Sequence, residues 1–335
     1  MQSFTTNSRI IITCSNRLSP FLQQEITELG FKPVRVFKTG VELEGNLLDC
    51  ITLNLNLRCA SQVLFSIKEF RAKDAGNLYK YLVDVAWEDL MAPDGYFSIS
   101  SNVSNETITN NLFANVKVKD AIADRFRNKT GKRPNSGPEL NGVVVHLYWK
   151  DDLAEIFIDT SGETLSKHGY RKIPGKAPML ESLAAATIMA GNWDRKSPFI
   201  NPMCGSGTLA IEAALIATNR RPGLYRNNYA FMHILGYDDN LYKSAYATLE
   251  KQVSDVPGLQ IIATDISEDA INISKINASI AGVEDLIDFR ICDFEETNIP
   301  ENTDGVVYLN PEYGDRLGKE TQLERTYKRM GDFFK

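Results

Sequence analysis

The stretch Pro198-Phe199-Ile200-Asn201-Pro202-Met203-Cys204-Gly205-Ser206-Gly207-Thr208-Leu209 decides how the second half of the chain is read. Its first four residues make a short apolar strand, and an Ala-, Ile- and Leu-rich helix is predicted over 207–218. Gly205 and Gly207 allow the sharp turn between them and let a ligand approach the backbone. Free N–H groups at the start of such a helix favour anionic or carboxylate groups. The run is neither Gly-x-x-x-x-Gly-Lys nor a full Gly-x-Gly-x-x-Gly, and no Lys follows Gly207, so a nucleoside triphosphate is a poor fit. It reads as a nucleoside-cofactor loop, the plainer alternative being a tight strand-to-helix turn.

Outward from this stretch the pattern alternates: helix 179–191, strand 198–201, helix 207–218, strand 260–264, helix 268–281, strands 287–291 and 305–309. Such alternation implies an α/β, doubly wound parallel sheet. Asp265 ends the second strand, where a carboxylate can accept both ribose hydroxyls of a nucleoside, with Ile266 behind it to pack on the base. An N-cap role for Asp265 is the alternative. Asp293 closes the third strand and either accepts from an adenine amino group or is an ordinary loop acid.

Asn310-Pro311-Glu312-Tyr313-Gly314 follows the fourth strand, at the edge where open α/β sheets place their sites. An aromatic or amide nitrogen is a poor nucleophile, because its lone pair is delocalised. The Asn310 side-chain oxygen and the Pro311 carbonyl can accept its N–H groups and aim the lone pair. Tyr313 can stack on a base, a contact worth about 1–3 kcal/mol. The plainer reading is a surface turn. Taken together, the two runs point to methyl transfer onto the nitrogen of a base or amide, by orientation and preorganised acceptors.

The first half mixes short strands and helices in a β-α-β-β-α order, a small α+β unit. A long helix is predicted over 111–130, with Val118, Ile122 and Phe126 on one face. Its other faces carry Lys117, Lys119, Arg125, Arg127 and Lys129, with Lys132 and Arg133 just beyond. A solvated helix face is the bland reading of such a run. Residues 160–178 form a basic connector with Lys167, His168, Arg171, Lys172 and Lys176, broken by Gly and Pro, and the domain boundary is placed there. His146 and His168 are too isolated for metal or triad chemistry and read as surface or packing residues.

With 335 residues, 43% of them hydrophobic and 24% charged, the chain is long enough for two or three domains with real cores. No stretch reaches the roughly 20 apolar residues of a membrane span. The net charge of −6 argues against nonspecific coating of nucleic acid but not against a local basic face. Five scattered cysteines with no Cys-x-x-Cys pair make zinc and disulfides poor readings, and a reduced, cytoplasmic setting is expected.

Asn201 to Thr208, with Ile211-Glu212-Ala213-Ala214 behind it, resembles the cofactor loop of S-adenosylmethionine-dependent RNA guanine-N2 methyltransferases that carry a THUMP domain. Leu165 to Arg171 resembles that family's connector, Lys117 to Ile122 a helix of its THUMP domain, and Asn310 to Gly318 its Asn-Pro-Pro-Tyr run. The likeness spans the chain in order and is greatest to the amino-terminal half of the large-subunit (23S) rRNA branch. The resemblance implies a ferredoxin-like segment over 1–43, a THUMP RNA-binding domain over 44–159, the connector 160–178 and a Rossmann-like class I methyltransferase domain over 179–335. It further implies S-adenosylmethionine held by Asn201, Pro202, Cys204, Gly205, Gly207, Thr208, Asp265, Ile266 and Asp293. Catalysis would fall to Asn310, Pro311 and Tyr313. RNA, 23S rRNA or a pre-50S particle, would be bound by Lys117, Lys119, Arg125, Arg127, Lys132, Arg133, Lys167 and Arg171, with no metal and no membrane.

Asn201 stands where that family usually has Asp, and Glu312 where it has a second Pro. Only four strands are countable in the second half, so a C-terminally incomplete domain is expected, with the fourth strand left at an edge. Rival readings are a non-catalytic RNA-binding or assembly protein, and a methyltransferase acting on tRNA guanine or on a protein glutamine amide.

Overall fold

β-Branched Ile10-Ile11-Ile12 builds the middle of the first half, with Ile10 and Ile12 fully buried. The computed structural model describes residues 4–108, 110–175, 178–301, 304–311 and 320–334. The chain divides into two units, Met1–Ser166 with Pro222–Thr248, and Lys167–Arg221 with Leu249–Lys335.

In chain order the first unit runs β1 (Ser8–Thr13), α1 (Ser19–Glu28), β2 (Arg35–Phe37), β3 (Gly40–Gly45), α2 (Leu47–Asn56), β4 (Gln62–Arg71), α3 (Ala75–Val83), β5 (Tyr96–Ser104), α4 (Asn111–Thr130), β6 (Asn135–Ser136), β7 (Val143–Lys150) and β8 (Leu153–Asp159). The strands form one sheet in the order β2-β3-β1-β4-β8-β7-β5-β6. β4 pairs with β1 on one side and β8 on the other, both antiparallel. The sheet is therefore continuous across residue 43, where the sequence reading had divided it. Asn46 opens α2 with a reciprocal capping box to Asp49, which satisfies two otherwise orphaned N–H groups. α4 ends at Gly131, whose left-handed conformation (φ 69°) stops the helix. Its inward face is Ala114, Val118, Ala121, Ile122 and Phe126, all buried.

Residues Pro222–Thr248, expected in the second domain, pack with the first unit instead. Tyr229 and Phe231 are fully buried and stacked on one another at 5.0 Å. Phe231 N donates to Thr160 O at 3.0 Å, and Leu235 N to Leu90 O at 2.8 Å. The Arg226 guanidinium donates to Thr164 O at 2.9 Å. Burying two aromatic rings is worth several kcal/mol, enough to draw this excursion into the first core.

Half-buried His146 and fully buried Asp159 oppose one another in acid. Burial lowers the His146 ring from its ordinary 6.5 to about 4, with Ser100 Oγ 2.8 Å from Nδ1. Below pH 6.5 the unfolded chain takes up a proton that folded His146 refuses, so stability falls as pH drops toward 4. Burial raises Asp159 from 3.8 to about 6, despite N–H donors from Ser161, Gly162 and Gln62. The folded carboxyl therefore protonates first, and stability rises as pH falls from 6 toward 4. Each contribution is about 3 kcal/mol, so they largely cancel. Relative to the parent, His146→Gln is expected to gain stability between pH 6.5 and 4. Asp159→Asn is expected to lose it over the same window. Urea unfolding across that range checks both, and parallel curves for parent and variants would refute the assignment.

The second unit contains α5 (Glu181–Ala190), β9 (Phe199–Pro202), α6 (Thr208–Ala217), the end of α7 (Asp239–Lys251), β10 (Ile261–Asp265), α8 (Glu268–Ile280), β11 (Ile287–Ile291), β12 (Val306–Val307) and α9 (Glu320–Phe333). Its strands are all parallel, in the order β11-β10-β9-β12. α6 is buried from Thr208 to Ile216. Small residues let it approach α5, Ala184 to Ala186 facing a helix that carries Ala210, Ala213 and Ala214. The strand expected over 305–309 is shorter, Val306–Val307, although Tyr308 N still donates to Ile200 O at 2.8 Å. Strand order reverses between β9 and β12. Doubly wound sheets open a crevice for ligands at such a point.

Candidate functional site

A cavity of about 520 Å³ lies at the C-terminal ends of β9, β10 and β11, in the size range of small-molecule sites. Asn201, Cys204, Gly205, Thr208, Asp265, Ile266, Asp293, Asn310 and Pro311 all line it. Pro202 is the buried end of β9, and Gly207 lies behind the loop against Ser274. Tyr313, Glu312 and Lys176 fall outside the described residues.

The loop is held open by its neighbours. Gly205 and Gly207 both have positive φ, 58° and 78°. Asp265 Oδ2 accepts from Gly205 N and Oδ1 from Ser267 N, each at 3.0 Å. The N-cap of α8 is Ser267, not Asp265. Each Asp265 oxygen keeps a second lone pair, which is what a vicinal diol would need. Ser274 Oγ donates to Gly205 O at 2.8 Å, and Asn277 Nδ2 reaches Ile173 O and Ser206 O at 3.0 and 3.4 Å. Ser274 and Asn277 are fully buried polar residues on the inner face of α8. That placement is their only sequence signal. Burial pushes the Cys204 thiol up to about 12, so it is neutral and no nucleophile.

Asn201 does two things. Its Nδ2 donates to Tyr308 O at 2.8 Å, tying β9 to the strand across the switch point. Its Oδ1 is buried without a partner, an acceptor left over at the cavity wall. An Asp here would set a carboxylate oxygen against the Tyr308 carbonyl. Asn201→Asp is expected to lose about 1–3 kcal/mol at pH 7. The loss should shrink as the carboxyl protonates in acid and can donate. Urea midpoints at pH 7 and pH 5 check this, and an Asp variant as stable as the parent at pH 7 refutes it.

Several basic residues expected to face RNA are engaged within the protein. Arg171 donates to Met179 O at 2.5 Å, Thr208 Oγ1 at 3.2 Å and Glu181 Oε2 at 3.0 Å, so it braces the cavity wall and the start of α6. Arg125 makes a bidentate pair with Glu88 at 3.0 and 2.6 Å, and Arg127 pairs with Asp124 at 2.8 Å. Their partners Glu88 and Glu181 are not legible as partners from sequence. Lys119, Lys132 and Arg133 have no ion pair among the described residues, and Lys117 sits 5.6 Å over the Phe113 ring. Lys167 is exposed. His168 is no surface residue: it is fully buried, its Nδ1 2.7 Å from Glu212 Oε1. Among the described residues no cluster of three or more His, Cys, Asp or Glu could hold a metal, and no helix is long and apolar enough to cross a membrane.

The RMKL-like methyltransferase domain matches residues 168–335, half of the chain and all of the cavity. The chain belongs to the RMKL-like methyltransferase family. The RlmL ferredoxin-like domain matches residues 9–64 and the THUMP domain residues 72–159. A ribosomal RNA large subunit methyltransferase K/L from Psychromonas ingrahamii is 34% identical over 333 residues, covering 97% of this chain and 44% of that protein. The chain thus spans less than half the length of that curated relative. Among solved structures, SMU.472 complexed with SAH superposes with a TM-score of 0.89 at 27% identity, over 100% of this chain and 87% of its own. A predicted N6-adenine-specific DNA methylase from Listeria monocytogenes gives 0.89 at 32% identity, over 98% and 86%. The ferredoxin-like and THUMP matches fall in the first unit, and the RMKL-like methyltransferase match takes in nearly all of the second together with the Pro222–Thr248 excursion.

Proposed function

We propose that this chain transfers a methyl group from S-adenosylmethionine to the exocyclic N2 of a guanine in large-subunit (23S) rRNA, free or within a pre-50S particle. The observation that carries this reading is that Asn310 and Pro311 line the same cavity as Asp265 and the Gly205 loop. The donor set fits the cofactor. Asn201 Oδ1 is an unpaired acceptor for an ammonium, Asp265 keeps lone pairs for ribose hydroxyls, and Ile266, 72% exposed, offers an apolar face for a base. When bound, S-adenosylmethionine supplies an electrophilic methyl on a sulfonium centre.

The protein's own part is orientation. Asn310 Oδ1 and the Pro311 carbonyl accept the two N–H groups of the substrate amine, pulling its lone pair out of conjugation and toward the methyl. A geometry fixed before the reaction needs no reorganisation during it. Cys204 stays protonated, so no covalent enzyme adduct is invoked. RNA would approach the first unit through Lys117, Lys119, Lys132 and Arg133. Phe113 beside them is exposed, as stacking on a base requires, and is flanked by exposed Leu112 and Val116.

The clamp recognises any delocalised exocyclic amine, so the base must be read from the product. Labelled S-adenosylmethionine with unmodified large-subunit rRNA, followed by mass spectrometry of the nucleosides, should yield N2-methylguanosine. N6-methyladenosine from DNA would replace this reading with the one named for the Listeria neighbour. RNA binding without any methylated product would support the assembly-protein reading.

A further inference from the structure

Thr326 and Arg329 of α9 line the cavity beside Asp293 and Phe294. Arg329 Nη2 donates to Asp293 Oδ1 at 2.7 Å and to Glu295 Oε2 at 2.6 Å. Its guanidinium carbon lies 4.9 Å from the centroid of the Phe294 ring. Phe333, one turn further on, meets the same ring edge-on at 5.7 Å. Met330 is buried. Helix α9 is thus seated on the Phe294–Glu296 turn by a charged fork and an aromatic contact together.

The fork has an asymmetric effect on Asp293. Its Oδ1 accepts from both Arg329 and Glu295 N, the latter at 3.1 Å. Its Oδ2 has no protein partner among the described residues. One oxygen is therefore anchored and the other is left as an acceptor at the cavity wall. Burial alone would raise the Asp293 carboxyl, but the Arg329 and Glu295 donors outweigh it and hold it below its ordinary value. A fixed, ionised acceptor selects a ligand N–H and rejects a carbonyl oxygen in the same place.

We propose that Arg329 is a specificity-determining positioning residue: it locks Asp293 so that Oδ2 reads the 6-amino group of the cofactor's adenine. This rests on the S-adenosylmethionine reading above. Arg329 acts through Asp293 and touches no reacting atom. Its Nη2 gives one N–H to each carboxylate while the planar guanidinium lies against the Phe294 ring, a geometry that a lysine ammonium reproduces only in part.

The test is a ratio of affinities measured by calorimetry on the full chain. The ligands are S-adenosylhomocysteine and its deaminated counterpart S-inosylhomocysteine, which presents a carbonyl where adenine presents N–H. The parent is expected to prefer the adenosyl ligand by about 30-fold or more. In Arg329→Ala the preference should fall below about 5-fold, chiefly through weaker adenosyl binding. Arg329→Lys should lie between, and Asp293→Asn should lose the preference as fully as Arg329→Ala. If Arg329→Ala does not fold, as judged by circular dichroism, the Lys and Asn variants carry the test. Equal weakening of both ligands, with the ratio intact, would overturn the proposal and leave Arg329 a prop for the wall. Failure of the parent to bind either ligand would sink the cofactor reading itself.

Discussion

Asn310→Ala is expected to lower turnover by about 100- to 1,000-fold, the usual cost of deleting one preorganised hydrogen-bonding group at a reacting centre. The affinity for S-adenosylhomocysteine should stay within about twofold, because in the proposed clamp the lost contact would be to the substrate amine and would tighten only as the lone pair is freed. Asn310 lines the cavity just past β12, on the far side of the switch point from Asn201. It therefore borders the cofactor loop without belonging to it. Single-turnover methylation of rRNA together with calorimetric binding checks both halves of the expectation. If turnover and cofactor affinity fell together, the residue would be holding the cavity rather than the substrate. If neither moved, the clamp would lie elsewhere.

Gly207→Ala is expected to cost about 2–4 kcal/mol of stability and about 100-fold in S-adenosylhomocysteine affinity. Two effects add. A side chain at φ 78° is disfavoured whatever surrounds it. The new methyl would also lie 2.9 Å from Ser274 Cβ and 3.0 Å from its Oγ. Ser274 is fully buried and donates to Gly205 O, so it cannot retreat without releasing the loop. Gly205 supplies the contrast. Its φ of 58° carries the same backbone cost of about 1–2 kcal/mol, but a methyl there meets nothing within 4 Å, so Gly205→Ala should destabilise less than Gly207→Ala and lose affinity by intruding on the ligand. Thermal unfolding alongside ligand titration separates the two glycines. Equal Tm values for the two variants would mean that the Ser274 contact is softer than its geometry implies.

Much of the second unit was legible because its signals are local. A strand, two glycines and an alanine-rich helix sit in one run of twenty residues, 198–217, and Asp265 ends, and Asp293 closely follows, a strand that alternation alone reveals. The contrary cases share a physical cause. Arg125 and Arg171 read as RNA-facing because their charges were visible and their partners, Glu88 and Glu181, were ordinary acids elsewhere in the chain. Arg329 was hidden among Lys328, Glu324 and Asp332, on a helix whose charge pattern matches any solvated face. Asn277 and Ser274 were masked by the habit of reading an inner helix face for apolar residues only. The short, irregular stretch from Pro222 to His233 has no period at all, so nothing in it announced that Tyr229 and Phe231 belong to the first core.

That excursion sets an order of events during synthesis. Domains commonly fold as they emerge, the N-terminal one first. Here the first unit cannot finish at Ser166, because Tyr229 and Phe231 have yet to be made. At about 5–20 residues per second, its core waits on the order of ten seconds for the rest of its own sequence. Meanwhile the strands around β8 and the turn at Thr160 lack their covering rings. The nascent chain therefore exposes an apolar surface for that interval, a natural point of engagement for a chaperone. A ribosome-bound chain arrested just after Ser166 should be protease-sensitive in its first half. One arrested well beyond Thr248 should be resistant.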